Sequence, residues 1–244
     1  MSLIYALTTL VALYITVKIW GYRISKDQDL IIIYISALFG ALLGAHLGYF
    51  TAEGYLHTEL GWMQQFGGKT IIGALIGGFI SVELIKRCIG YKAITGDLFA
   101  VTIPIAIAVG RVGCLSAECC LGQPSPLSWY SLIDSQGISR WPAVPVEIIF
   151  NLTIAAFFFL LRRRHLLNGQ HFHLYMICYG SFRFLHEGMR LSPKFGNAIN
   201  GYQLLCLILV LTGAYAANRR RSQHLTQIEQ HSQLKGIGEY KGVG

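Results

Sequence analysis

The chain has 244 residues, of which 53% are hydrophobic and only 13% are charged. Because soluble domains carry roughly 25% charged residues, this composition argues against a soluble protein and predicts one embedded in a membrane. The net charge of +8 would favour nucleic-acid binding in a soluble chain, but here the basic residues are grouped between apolar segments. We therefore expect no nucleic-acid partner and assign these charges to membrane orientation.

Apolar segments near the length needed to cross a bilayer, about 20 residues, recur along the chain. They predict seven transmembrane helices, with six or eight as alternatives, at about residues 2–18, 30–52, 70–86, 97–113, 147–161, 172–188 and 202–217. The first segment lacks the basic leading region and the cleavage site of a signal peptide, so we expect it to be retained. The predicted fold is thus an all-α polytopic membrane protein, with one transmembrane domain over residues 1–218 and a flexible cytoplasmic tail over 219–244.

The positions of the basic residues predict the orientation. Fourteen of the 20 Lys and Arg residues lie in or beside the first, third and fifth connections or in the C-terminal tail. By the positive-inside rule, these regions are cytoplasmic, and an odd number of spans places the N-terminus outside.

In this orientation, polar side chains from five predicted helices fall near one level, on the outer side of the membrane. They are His46, Lys69, Arg111, Glu147, Tyr179, Arg183, Glu187 and Arg190. A charge inside a bilayer costs at least about 2.5 kcal/mol and usually faces a bundle interior or a wet cavity. The excess of cations favours an anionic ligand, and the guanidinium fork suits lipid phosphate. The alternative is that Arg183, Glu187 and Arg190, on one helix stripe, form a salt-bridge ladder that only locks helices together.

Three cysteines follow one of these arginines in the segment GRVGCLSAECCLG, at residues 110–122. Cys114, Cys119 and Cys120 lie at or beyond the outer end of the fourth predicted helix. A disulfide or simple packing, a metal site, and a redox-active or acyl-carrying thiol are the three open interpretations. The spacing is not that of a CxxC motif, and we predict no metal and no cofactor.

Five segments, taken together, carry a family resemblance. They are GAHLGYF at 44–50, GGKTIIGALIGG at 67–78, GRVGCLSAECCLG at 110–122, WPAVPVE at 141–147 and YGSFRFLHEGMR at 179–190. In this order they resemble motifs of the prolipoprotein diacylglyceryl transferase family. The resemblance implies transfer of diacylglycerol from phosphatidylglycerol to the lipobox cysteine of a secreted lipoprotein precursor. It also implies a multi-pass protein of the bacterial inner membrane with seven spans.

The same resemblance implies roles for individual residues. Arg111 matches the arginine that engages the phosphatidylglycerol headgroup, and Arg183 matches a second essential arginine. Arg190, Tyr179 and Glu147 also match family positions and are expected to support substrate binding. From charge and placement rather than from the resemblance, we expect Lys69 to support substrate binding. If a base is used, His46 or His186 is the expected residue, with Glu187 next.

The segments also depart from the family pattern. Cys114 to Cys119 replace an Asn-containing run, Ile72 stands at the position of a proposed base histidine, and His46 replaces an arginine. The phosphate-binding residues are retained and the proton-handling residues are altered. The alternative function is therefore a lipid-binding protein, or a membrane thiol–disulfide protein acting through Cys114, Cys119 and Cys120.

Overall fold

A computed structural model describes residues 27–57, 59, 61–192 and 199–240, together with positions 7, 10, 11 and 14. At position 64 and over 223–240 it describes the backbone alone. The predicted first span, at 2–18, therefore lies largely outside the described residues.

Six long helices make up most of the described residues, and they coincide with the second to seventh predicted spans. They are α1 Asp29–Ala52, α3 Ile71–Cys88, α4 Gly96–Ser116, α5 Ala143–Arg163, α6 His171–Glu187 and α7 Gly201–Tyr240, with a short α2 at Trp62–Gln65. The helix α7 continues through 219–240, where the sequence predicts a flexible tail, and the division into domain and tail stays a prediction. A single helical turn, Gly54–Leu56, follows α1.

Four of these helices are long and apolar enough to cross a membrane: α1, α4, α5 and the segment Gly201–Ser222 of α7. The other two helices, α3 and α6, form at the predicted positions but do not meet both conditions. Helix α6 has only 17 residues, and α3 carries the charged residues Glu83, Lys86 and Arg87. The prediction of a mainly α-helical, multi-pass membrane protein is therefore confirmed. The number of seven spans and the orientation of the termini stay predictions. One feature was not predicted, a two-stranded hairpin of β1, Leu132–Ile133, and β2, Ser139–Arg140.

The helices pack as antiparallel neighbours, α1 with α3, α4 with α5, and α6 with α7. The main apolar core lies where α3 to α7 meet, around Ile72, Phe158, Tyr175, Met176 and Leu209. Since every α-helix satisfies its own backbone hydrogen bonds, this packing needs only apolar or small side chains at the contacts.

Glycines allow the backbones of α1 and α3 to touch. A Cβ atom added at Gly44 would overlap the carbonyl oxygen of Gly73, and one added at Gly73 would overlap that of Gly44. Gly40 and Gly77 repeat the arrangement one turn away. The close helix contact expected from the small residues of these two segments is therefore present.

This contact predicts a stability difference between two alanine substitutions in the same helix. Gly73→Ala is expected to lower the free energy of unfolding by about 1–3 kcal/mol, because overpacking against a backbone atom cannot be relieved by a rotamer change. Gly78→Ala is the matched control, since its Cβ would lie 3.4 Å from the nearest atom, the carbonyl oxygen of Ala37. Unfolding of both variants in detergent measures the difference, and equal stability would contradict the packing described.

The two ends of the bundle differ in polarity. At one end, Lys86 and Arg87 occupy the last turn of α3, and Arg162 and Arg163 the last turn of α5. At the other end, the C-termini of α4 and α6 meet the N-terminus of α5. The 117–142 connection, which contains the hairpin, covers this second end.

That connection is held to the chain just beyond α6. The backbone N–H of Gln123 donates to the carbonyl of Met189 at 3.0 Å, and the N–H of Leu191 donates to that of Leu121 at 3.3 Å. A Cβ atom at Gly122 would overlap the carbonyl oxygen of Trp141. The covering segment is thus a folded part of the bundle end.

Candidate active site

Glu147 is the centre of a buried polar cluster at the covered end of the bundle. Its carboxylate has no exposed surface. Arg111 Nη2 lies 3.0 Å from both carboxylate oxygens, and the Tyr179 hydroxyl donates to Oε1 at 2.9 Å. Arg183 Nη1 and Arg190 Nη1 lie 3.6 and 3.8 Å from Oε2. One glutamate on α5 therefore lies within 4 Å of three arginines, one on α4, one on α6 and one in the turn after α6.

A second buried carboxylate, Glu187, holds two of the same arginines. Arg183 Nη2 lies 2.7 Å from its Oε2, and Arg190 Nε lies 3.7 Å from that oxygen. The hydroxyl of Ser192 donates to its Oε1. The predicted stripe on one helix is only partly right, because α6 ends at Glu187 and Arg190 lies in the following turn. There the backbone of Arg190 pairs with Gly122 instead of continuing the helix.

The cluster carries more positive than negative formal charge, with three guanidinium groups and two carboxylates. The arginine side chains are no more than 13% exposed. Arg111 Nε, Arg183 Nη1 and two nitrogens of Arg190 make no hydrogen bond to any described residue, although the last three lie within 4 Å of a carboxylate. Buried donors of this kind normally have partners, so the arrangement can accept an anion with oxygen acceptors.

The cysteines of the 110–122 segment adjoin the same cluster. Arg111 Nη1 lies 3.1 Å from Cys120 Sγ and 3.7 Å from Cys114 Sγ, and all three thiols are free. A hydrogen bond from Cys114, with the charges of Arg111 and Arg190, outweighs burial and lowers the pKa of Cys120 to about 4. This shift favours the ionised form of Cys120 beside Arg111.

Three sequence-predicted residues do not join these hydrogen bonds. His46 Nδ1 faces the carbonyl of Phe66 at 2.6 Å, and Lys69 is exposed without an ion pair to any described residue. His186 is buried, accepts a hydrogen bond at Nε2 from Trp141 Nε1 at 3.4 Å and stacks on Phe182. Their proposed roles stay predictions.

Position 72, where the family resemblance places a histidine, lies in the apolar core of the structure. Ile72 is 1% exposed and belongs to the main core. No titratable group therefore replaces that histidine at this position. The cluster formed by Arg111, Glu147, Tyr179, Arg183, Glu187 and Arg190 is what the structure brings together.

Two residues inward of the cluster escaped the sequence-based prediction. Asn151, fully buried, donates to the carbonyl of Glu147 at 2.8 Å, and the Tyr175 hydroxyl donates to Asn151 Oδ1 at 3.4 Å. Asn151 stands four residues after Glu147, and Tyr175 stands four residues before Tyr179. Each therefore lies one helical turn from a predicted site residue. A polar residue at that spacing in an apolar span is the signal that could have identified them.

An elongated cavity of about 1220 Å³ runs beside the core toward the basic end of the bundle. Its wall is mainly apolar and includes Leu75, Phe79, Ile103 and Ile107, the last of which lies one turn before Arg111. Its far end is lined by Lys86, Arg87, Arg219 and Arg220. A smaller cavity of about 110 Å³ lies on the cysteine side, between Cys114, Cys120 and Trp141.

Comparison with known proteins identifies similar chains. The family model described as prolipoprotein diacylglyceryl transferase matches residues 1–218. A relative from Clostridium tetani is 30% identical over 62% of this chain and 64% of its own length. Relatives from Finegoldia magna and Dehalococcoides mccartyi are 27% and 29% identical, over 88% and 83% of this chain and 88% and 81% of their own lengths. All three are named phosphatidylglycerol–prolipoprotein diacylglyceryl transferase. No solved structure matches.

Proposed function

The chain belongs to the prolipoprotein diacylglyceryl transferase family and is a transferase of this class, and we propose that its donor is phosphatidylglycerol and its acceptor a lipoprotein precursor. The acceptor group in this proposal is the thiol of the precursor's lipobox cysteine. The product is a diacylglyceryl thioether, and glycerol phosphate is released.

The observation that carries the proposal is the convergence of Arg111, Arg183 and Arg190 on one buried carboxylate. The three guanidinium groups around Glu147 retain buried N–H donors that make no hydrogen bond to any described residue. A phosphodiester headgroup offers oxygen acceptors and one negative charge, which the guanidinium fork binds bidentately.

The proposed reaction is the one implied by the family. The acceptor thiolate attacks the diacylglycerol carbon that bears the phosphate, so that a carbon–sulfur bond forms and a carbon–oxygen bond breaks. Glycerol phosphate leaves with the bonding electrons, and its oxygen gains negative charge. Fixed cations placed at this oxygen stabilise the transition state without reorganising. We assign this role to Arg111 and Arg183, with Arg190 in support.

In this proposal the thiol proton passes to water, and the nearby cations favour this ionisation, so a strong base is not required. A thiol with a pKa near 8.5 ionises more readily beside cations. Among the predicted bases, Glu187 is held in ion pairs, and His186 uses Nε2 to accept from Trp141. His46 faces a backbone carbonyl. His186 can act as a base only after its contact with Trp141 opens.

The proposed membrane arrangement has seven helices, an outer N-terminus and a cytoplasmic C-terminus, in the bacterial inner membrane. It is supported by the four helices with membrane-spanning character and by the basic residues at the ends of α3 and α5. The arginine cluster then lies on the outer side, where a secreted precursor emerges. The apolar cavity beside Ile107 offers a place for the acyl chains of the donor.

The test uses purified full-length protein in vesicles that contain phosphatidylglycerol, with a synthetic lipobox peptide as acceptor. We expect a diacylglyceryl adduct on the peptide cysteine and an equal amount of glycerol phosphate. Vesicles of phosphatidylcholine and a peptide with serine in place of cysteine are the controls. Absence of adduct, with disulfide exchange that depends on Cys120, would instead favour the thiol–disulfide alternative.

A further inference from the structure

Three sulfur atoms form a compact group beside the arginine cluster. The Sγ atoms of Cys114, Cys119 and Cys120 all lie within 4.8 Å of one another, and those of Cys119 and Cys120 are 3.8 Å apart. Zinc–thiolate bonds of about 2.3 Å in tetrahedral geometry place neighbouring sulfurs about 3.8 Å apart. The distance between Cys119 and Cys120 therefore matches that of a metal-bound thiolate pair, and the two distances to Cys114 are no more than 4.8 Å.

The backbone after α4 creates this grouping. The helix ends at Ser116, and Glu118 takes a left-handed conformation with φ of 48°. The N–H of Cys119 then donates to the carbonyl of Cys114 at 3.4 Å, which turns the chain back over the helix end. Glycine is the usual residue in such a turn, and a side chain there has a conformational cost. The turn brings together cysteines five and six positions apart.

The surroundings suit a bound cation with three anionic ligands. Arg111 Nη1 donates to Cys120 Sγ at 3.1 Å, which is the kind of outer contact that orients a ligating group. A divalent cation with three thiolates would carry one net negative charge, and the arginine faces it. Cys119 is exposed, so a metal ion can reach the group from solvent.

A fourth ligand is needed to complete tetrahedral coordination. Glu118 lines the 110 Å³ cavity together with Cys114 and Cys120. Its Oε2 accepts a hydrogen bond from the backbone of Ser135 at 3.2 Å. This carboxylate is not among the ligand atoms that lie within 4.8 Å of one another, so we assign the fourth position to a water molecule.

We propose that Cys114, Cys119 and Cys120 form a binding site for a thiolate-preferring metal cation such as Zn²⁺, placed against Arg111. Three sulfur ligands select soft or borderline cations over Mg²⁺ or Ca²⁺. A disulfide would use two of the three sulfurs and leave the third unpaired, whereas a metal ion uses all of them. Binding requires deprotonated thiols, so any thiol proton still present is released.

The experiment measures metal binding by the full-length protein, reduced and handled without oxygen in detergent. Titration with Zn²⁺ against a chromophoric chelator is expected to show one ion per chain. Co²⁺ in its place should give a thiolate-to-metal charge-transfer band. These readouts do not depend on transferase activity, so failure here is distinguishable from failure of the proposed function.

Serine variants identify the ligands. Cys119→Ser and Cys120→Ser are each expected to weaken binding by more than the roughly 10–100-fold that loss of an outer-shell partner costs. Cys88→Ser is the matched control, because Cys88 is also exposed but lies at the C-terminal end of α3. Its affinity should equal that of the unchanged protein.

Two results would overturn the proposal. One is a fully reduced protein, with all six thiols titratable, that binds no Zn²⁺ at stoichiometric concentration. The other is binding that persists unchanged in Cys119→Ser.

Discussion

Replacement of Arg111 by glutamine is expected to lower kcat for diacylglyceryl transfer by about 10²–10³-fold. This is the loss that follows removal of one preorganised donor from a site where negative charge develops. Arg111 also contacts both oxygens of Glu147 and the sulfur of Cys120, so its guanidinium is fixed before the donor binds. Rates measured against phosphatidylglycerol concentration, with peptide in excess, give kcat and KM separately.

Two further variants sharpen this prediction. Arg111→Lys keeps the charge but loses the planar fork, so we expect it to recover only part of the activity. Arg163→Gln is the control, since this arginine is exposed in the last turn of α5 at the opposite end of the bundle. Unchanged turnover in Arg111→Gln would contradict the assignment of this residue to the leaving group.

Replacement of Glu147 by glutamine is expected to destabilise the fold as well as abolish activity. The change leaves three guanidinium groups with only the carboxylate of Glu187 close by. Removing one partner of a buried ion pair costs about 3–5 kcal/mol, because the remaining charge is uncompensated. Unfolding in detergent measures this loss. The exposed Glu59 provides the control, and Glu59→Gln should have native stability.

A double variant tests whether Glu147→Gln lowers stability because it leaves a buried charge unpaired. Adding Arg111→Gln to Glu147→Gln removes a buried positive charge along with the negative one. We expect the double variant to be more stable than the sum of the two single changes predicts, since the groups share one network. Strict additivity would show that Arg111 and Glu147 are not coupled.

The helices and the arginines could be predicted from the sequence because both signals are local. Apolar segments of membrane-spanning length give the helices directly. Arg111 and Arg183 stand out as charges within such segments, and the structure places both against Glu147. The central role of Glu147 could not be predicted, because it depends on the packing of α5 against α4, which involves contacts between residues far apart in the chain.

Other features could not be predicted because they depend on where a helix ends, how a side chain turns and how the backbone bends. Arg190 leaves the helical stripe because α6 ends at Glu187 and the chain then pairs with Gly122. His46 stands at the expected end of α1, but its ring turns to the carbonyl of Phe66. The three cysteines lie close together because the chain makes a left-handed turn at Glu118. A glutamate in the sequence gives no signal for this conformation.

The backbone pairing between the 117–142 connection and the chain after α6 has a mechanical consequence. Met189 and Leu191, on either side of Arg190, are both hydrogen-bonded to this connection. Outward displacement of the segment must therefore pull Arg190 with it or break those bonds. If those bonds persist, displacement of the connection also changes the distance between Arg190 and the two carboxylates that it faces, Glu147 and Glu187.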